Sequence, residues 1–247
     1  LSIVMVAVEG CVTKRISSMP AYRSGIETGF INKFIFIEDK EYRYVVYVPR
    51  EYNPEKPWPL IVFLHGAGER GDDGLKQTET GIGRAIRKHA DWFPCLVFMP
   101  QCPERVWWDS AQKHVEQALE KTLREYNIDP DRIYLTGLSM GGYAAWIYGA
   151  NKVDRFAAIM PICGGGKQED APKLAQVPIW AFHGADDDVV SPEESRKMVE
   201  AVRRAGGNIR YTEFEKTGHN SWDKAYGEEK HIKWLLKQRR MPATDKK

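Results

Sequence analysis

Five short, nearly unbroken apolar runs constrain this chain more than any other feature: Leu60–Leu64, Leu96–Met99, Ile133–Leu135, Phe156–Ile159 and Ile179–Phe182. A strand wetted on one face alternates polar and apolar residues. A run without polar breaks is buried on both faces, as in the interior of a parallel sheet. Helix-like segments separate the runs, around Gly83–His89, Gln112–Glu125, Met140–Tyr148 and Pro192–Ala205. A late strand, Ile209–Phe214, precedes an amphipathic segment near Lys224–Lys237. At the front, Phe30–Ile37 and Tyr42–Val48 flank the charged turn Glu38-Asp39-Lys40-Glu41 and read as an antiparallel hairpin. The expected fold is therefore α/β, a mostly parallel sheet behind a leading antiparallel hairpin, with helices on both faces. Ligands of such sheets bind beyond the carboxyl ends of the strands.

The boundaries carry chemistry of their own. Ser191-Pro192-Glu193-Glu194 offers an N-cap, a proline at the first helical position and a capping-box glutamate. Gly206-Gly207 then stops that helix. About residues 28–240 are used by one α/β core, leaving an N-terminal extension or edge segment, 1–27, and a polar tail, 241–247.

Charge narrows the partners. Thirty-six basic against 34 acidic side chains leave a net charge of +2, which gives no electrostatic reason to expect nucleic acid. The longest apolar run at the start, Leu1–Val8, is far short of the roughly 20 residues of a membrane span. It fits an edge strand, a linker to an upstream module or a processed end. Cys11, Cys95, Cys102 and Cys163 lack metal-type CxxC spacing. Cys102 and Cys163 fall just past strand ends on one side of the sheet and are the better candidate disulfide. Four buried thiols are an equal alternative.

The chemistry gathers at strand ends. Gly137-Leu138-Ser139-Met140-Gly141 is G-x-S-x-G between an apolar run and a helix-like segment, the setting of a nucleophile elbow. A serine nucleophile needs a base, an orienting acid and oxyanion donors. Ile179–Phe182 runs into His183-Gly184-Ala185 and three carboxylates, Asp186, Asp187 and Asp188. Ile209–Phe214 is followed by Thr217-Gly218-His219. The order Ser139, aspartate, His219 is the nucleophile–acid–base order of hydrolases on this kind of sheet. Leu60–Leu64 ends in His65-Gly66-Ala67-Gly68, whose amides supply one oxyanion donor, the amide of Met140 supplying the other.

Other histidines read as structural: His65 and His183 as binders of loop backbone, His89, His114 and His231 as surface or boundary residues of helices. No pair has metal-ligand spacing, so no metal or cofactor is expected. Trp107, Trp108 and Trp222 lie on segments expected to rim the site, and Trp108 and Trp222 are taken as substrate-binding. Glu69, Arg70 and Asp72 either contact substrate polar groups or hold a loop's shape.

Taken together, Leu64–Gly71, Pro100–Pro103, Gly137–Gly142, His183–Asp187 and Gly218–Trp222 resemble the α/β-hydrolase superfamily. The likeness, over about residues 28–238, is closest to its compact carboxylesterase branch, which includes peptidase/esterase, feruloyl esterase and polyhydroxyalkanoate depolymerase groups. The resemblance implies a serine esterase, places the acid at Asp187 and points to Ala67 as first oxyanion donor. It favours a secreted or periplasmic location over a cytoplasmic one.

Only 19 residues separate Ile159 from Ile179, too few for a sizeable helical cap at the place where lipases of this superfamily often carry one. The expected substrate is a small-molecule ester with a short acyl or aryl group, reached from solvent. A serine peptidase on the same scaffold, an esterase acting on polymer-linked esters, a non-catalytic binding module and a module of a longer chain are the alternatives.

Overall fold

The hairpin forms the first edge of the sheet. In the computed structural model, which describes residues 25–240, β1 (Gly29–Ile37) pairs antiparallel with β2 (Lys40–Val48) without a slip, from Gly29 opposite Val48 to Ile37 opposite Lys40. Glu38 and Asp39 turn the chain with φ of 51° and 62°, whose twist matches that of the strands. The apolar run Leu1–Val8, Cys11 and the tail from Met241 lie outside the described residues.

The alternating units follow as β3 (Trp58–Leu64), α1 (Ile82–Lys88), β4 (Leu96–Pro100), α2 (Gln112–Glu125), β5 (Ile128–Leu138) and α3 (Met140–Asn151). Then come β6 (Ala158–Ile162), α4 (Ala171–Leu174), β7 (Ile179–Gly184), α5 (Glu193–Arg204), β8 (Ile209–Phe214), α6 (Trp222–Tyr226) and α7 (Glu229–Lys237). The sheet order is β1-β2-β4-β3-β5-β6-β7-β8, and every pair from β4 to β8 is parallel.

The unbroken apolar runs are explained by two cores. Leu60, Val62 and Leu64 of β3 pack with α2, α3 and α5, whereas Ile61 and Phe63 pack with α1, α6 and α7. Successive side chains leave a strand on opposite faces, so a strand covered twice must be apolar throughout. Each such side chain contributes about 1.5–3 kcal/mol when fully buried.

Several expectations need correction. β5 begins at Ile128, and its register against β3 shifts between Trp58 and Leu60, an irregularity that hid its polar start. β6 runs Ala158–Ile162 rather than Phe156–Ile159. The last amphipathic segment breaks at Gly227 into two helices. Ser191 does meet the Glu193 amide through its hydroxyl, at 3.4 Å, but Glu194 faces Lys197 instead of closing a capping box. His114 and His231 are buried, not at the surface. His114 stacks on Tyr42 where α2 lies against the hairpin, and His231 hydrogen-bonds the Ala225 carbonyl. Cys95, Cys102 and Cys163 are free, buried thiols, so Cys102 and Cys163 form no disulfide. Between β6 and β7 the chain makes only a short 3-10 turn and the four-residue α4.

Candidate active site

The β5–α3 junction sets Ser139 at the carboxyl edge of the sheet. Ser139 has φ 52° and ψ −116°, outside the regions that a residue with a Cβ favours. Strain of this kind costs on the order of 1–3 kcal/mol and persists only where the surroundings fix it. Here the Ser139 amide donates to the Ile162 carbonyl at 3.0 Å, and its own carbonyl accepts from the Tyr143 amide at 3.0 Å. Gly141 lets α3 close in on β3: a Cβ there would lie 1.9 Å from the Leu64 carbonyl oxygen.

Two loops from neighbouring strand ends complete the row. His219, after β8, places Nε2 2.9 Å from Ser139 Oγ and Nδ1 2.8 Å from Asp187 Oδ2. Of Asp186, Asp187 and Asp188, it is Asp187 whose carboxylate meets His219. The imidazole is held from one side by the carboxylate, which fixes the proton on Nδ1 and leaves Nε2 to accept from the serine hydroxyl. Burial opposes ionisation of Asp187. Hydrogen bonds from His219 and from the amides of Val190 and Val189 outweigh it and hold the carboxyl below its ordinary value.

A second serine–histidine contact lies behind the first. His183 Nδ1 is 2.7 Å from Ser195 Oγ, but the two residues are 0% and 1% exposed, so no substrate reaches them.

The loop after β3 approaches Ser139 from the other side. The position of a Cβ at Gly66 lies 3.6 Å from Ser139 Cβ, and a 3-10 turn starts at Ala67. Met140 is the first residue of α3, so its amide has no acceptor within the helix. Gly66 thus brings this loop against Ser139, with Ala67 the residue that follows it. His65 fixes this loop: Nε2 accepts from the Cys102 amide at 2.9 Å, and Nδ1–H donates to the Gly66 carbonyl at 2.6 Å. Burial pushes His65 down to about 4, so it stays neutral. Gln101 adds three more ties, to the Glu69 carbonyl, the Asp73 carboxylate and the Gly74 amide. Arg70 donates to the Ala67 carbonyl and so holds the loop's shape. Gln101 and Cys102 belong to the Pro100–Pro103 motif that the sequence singled out, but their clamping role was not legible in it.

A pocket of about 170 Å³ opens beside Met140. Its walls are Leu64, Val115, Ala144 and Tyr148, with Tyr143 and Ile147 from α3 and the exposed Trp107 at the mouth. Trp108 lines it as well, its indole N–H donating to the His65 carbonyl at 3.0 Å. Trp222 does not line it. That ring stands edge-on to His219, with centroids 5.3 Å apart. Tyr143 and Ile147 escaped sequence reading because only the folded contact between α2 and α3 makes the pocket. Among the described residues, three potential metal donors lie within 4.8 Å of one another, Cys163, Asp187 and His219. Burial pushes the Cys163 thiol up to about 12, which opposes the thiolate a metal would need.

A doubly covered, mostly parallel sheet with these residues at successive strand ends is an α/β-hydrolase. The chain belongs to the dienelactone hydrolase family, whose model matches residues 99–231. It is 33% identical over 167 residues to a bifunctional acetylxylan esterase/xylanase of Neocallimastix patriciarum, covering 64% of this chain and 23% of that protein. A poly(3-hydroxybutyrate) depolymerase of Ralstonia pickettii is 28% identical over 116 residues, 40% of this chain and 24% of its own. The chain thus spans about a quarter of the length of these relatives. The solved structure of a thermostable esterase superposes with a TM-score of 0.78 at 37% identity, over 85% of this chain and 63% of that one.

Proposed function

We propose that residues 28–240 are a serine carboxylesterase domain that cleaves short-acyl or aryl esters through an acyl-enzyme. The observation that carries this reading is the continuous hydrogen-bonded row Ser139–His219–Asp187 on a strained elbow beside an open apolar pocket. Ser139 Oγ attacks the ester carbonyl while His219 Nε2 takes its proton, and Asp187 stabilises the imidazolium. The amides of Ala67 and Met140 receive the oxyanion. His219 then protonates the leaving alcohol, and water repeats the sequence on the acyl-enzyme.

The leaving oxygen must face His219 Nε2, so the alcohol departs on the side of Trp222. The pocket, lined by neither His219 nor Trp222, takes the acyl group, with Trp108 as part of its wall. A cavity of about 150 Å³ holds one benzene. At about 170 Å³ the pocket suits a single ring or a short chain. The esterase, acetylxylan esterase and depolymerase names of similar proteins support ester chemistry. The partial span of those relatives supports a module of a longer polypeptide.

Hydrolysis of p-nitrophenyl acetate and butyrate tests the proposal. Ser139→Ala is expected to lose at least about a thousandfold in kcat; substantial activity surviving in that variant excludes Ser139 as nucleophile. A matched aminoacyl ester and anilide separate the peptidase reading, which requires catalysed turnover of the anilide as well as the ester.

A further inference from the structure

Asp187 is held between two histidines. On its exposed side stands His219; on the inner side His183, the last side chain of β7 before Gly184, brings Nε2 within 3.2 Å of Asp187 Oδ2. The same nitrogen lies 2.9 Å from the Val190 carbonyl. Both neighbours are acceptors only, so Nε2 carries a proton. The other ring nitrogen meets Ser195 Oγ at 2.7 Å, and that hydroxyl reaches the Gly164 carbonyl at 2.9 Å. The side chains of His183 and Asp187 are both without solvent exposure.

From this geometry we infer that His183 is a positioning residue for the esterase reaction: its Nε2–H fixes the Asp187 carboxylate and the loop behind it in the orientation that His219 requires. The inference rests on the reading of Ser139, His219 and Asp187 as the reacting set. A single side chain thereby binds the acid, the loop that carries the acid and, through Ser195, the first turns of α5. Asp187 receives two amides on Oδ1 and the imidazole of His219 on its outer side. Without His183, Oδ2 loses its inner donor and keeps only His219, so the carboxylate is held less firmly in the orientation that His219 requires. The negative charge left on the remaining partners would also favour the protonated form of His219. The titratable and charged groups facing His183 are Asp187 and His219 from their loops and Glu213 from β8. Tyr143 of α3 and the Cys163 thiol after β6 face the same carboxylate, and Glu194 of α5 acts on Tyr143.

The test compares wild type, His183→Phe, His183→Gln and Ser139→Ala on p-nitrophenyl butyrate across pH. His183→Phe keeps a ring but removes the donor. It is expected to lower kcat at least tenfold with KM within twofold, and to move the acid limb of kcat/KM to higher pH. His183→Gln, whose amide N–H reaches the place of Nε2, is expected to restore kcat to within about threefold and return the limb. Wild-type kcat and an unmoved limb in a folded His183→Phe overturn the proposal, provided Ser139→Ala is inactive. An active Ser139→Ala overturns the underlying reading instead. Should His183→Phe not fold, His183→Gln and Ser195→Ala decide. A fall in kcat with the same upward shift in Ser195→Ala, which loosens the ring, supports positioning. Unchanged kinetics in Ser195→Ala overturn it.

Discussion

Replacing Ala144 by leucine puts three additional carbons into the pocket beside Met140. Ala144 sits on α3, five residues past Ser139, and its methyl group forms part of the pocket wall between Val115 and Tyr148. In the wild type a butyryl group has two more methylenes to bury there than an acetyl group. At about 0.8 kcal/mol per buried CH₂ this amounts to about 1.6 kcal/mol, or roughly a 15-fold preference in kcat/KM. Leucine occupies that space, so the preference is expected to fall to about unity while acetate turnover stays within threefold. The assay uses p-nitrophenyl acetate and butyrate, each normalised to its rate with hydroxide. The shared leaving group then cancels, and a thermal melt establishes that the variant is folded. A folded Ala144→Leu that keeps the full butyrate preference refutes the assignment of this pocket to the acyl group. So does a wild type that shows no preference at all.

Two further outcomes follow from the fold. Gly141→Ala drives a Cβ onto the Leu64 carbonyl, a backbone contact that no side-chain movement relieves, whereas at Gly68 nothing lies within 4 Å of the added carbon. Thermal melts should show Gly141→Ala lowered by on the order of 10 °C or failing to fold, and Gly68→Ala unchanged. Stability should also fall with acid before the carboxylates titrate. Burial depresses His65 and His114 to about 4 in the folded chain, against 6.5 ordinarily. Between those values the unfolded chain binds protons that the folded chain refuses, so stability present above pH 6.5 is lost on the way to pH 4. The two histidines together account for about 5 kcal/mol by pH 4.5. Urea midpoints at pH 7 and 4.5 check this, and a flat profile would contradict the burial of those rings.

The parts of this architecture that depend on one strand and its immediate turn were legible in the residues. The doubly buried runs of β3, β4 and β7 announced themselves because every side chain on them meets one core or the other. Ser139, Asp187 and His219 each lie at or just past the carboxyl end of a strand, β5, β7 and β8, although in space His219 stands between the other two. What depended on pairing between distant segments was not legible. The polar start of β5 gains its strand conformation from β3, and Pro161 of β6, which lacks an N–H, made that strand seem to end early. His114 looks like a surface residue until the hairpin covers α2. Cys102 and Cys163 share a side of the sheet, but both remain free thiols: Cys102 Sγ is turned toward the Val106 carbonyl, at 3.4 Å, and Cys163 lies beside Asp187 and His219. The pocket beside Met140 is a property of α2, α3 and the Trp107–Trp108 turn together, so no single motif carries it.

The central claim is that Ser139 is the nucleophile, and the chain offers a direct internal comparison in Ser195, a second serine in contact with a histidine. Intact-protein and peptide mass spectrometry after treatment with a fluorophosphonate reads this most directly. One adduct per chain, located on the peptide carrying Ser139 and absent from Ser139→Ala, is the predicted result. An adduct on Ser195, or none on an enzyme that still hydrolyses p-nitrophenyl butyrate, would contradict it.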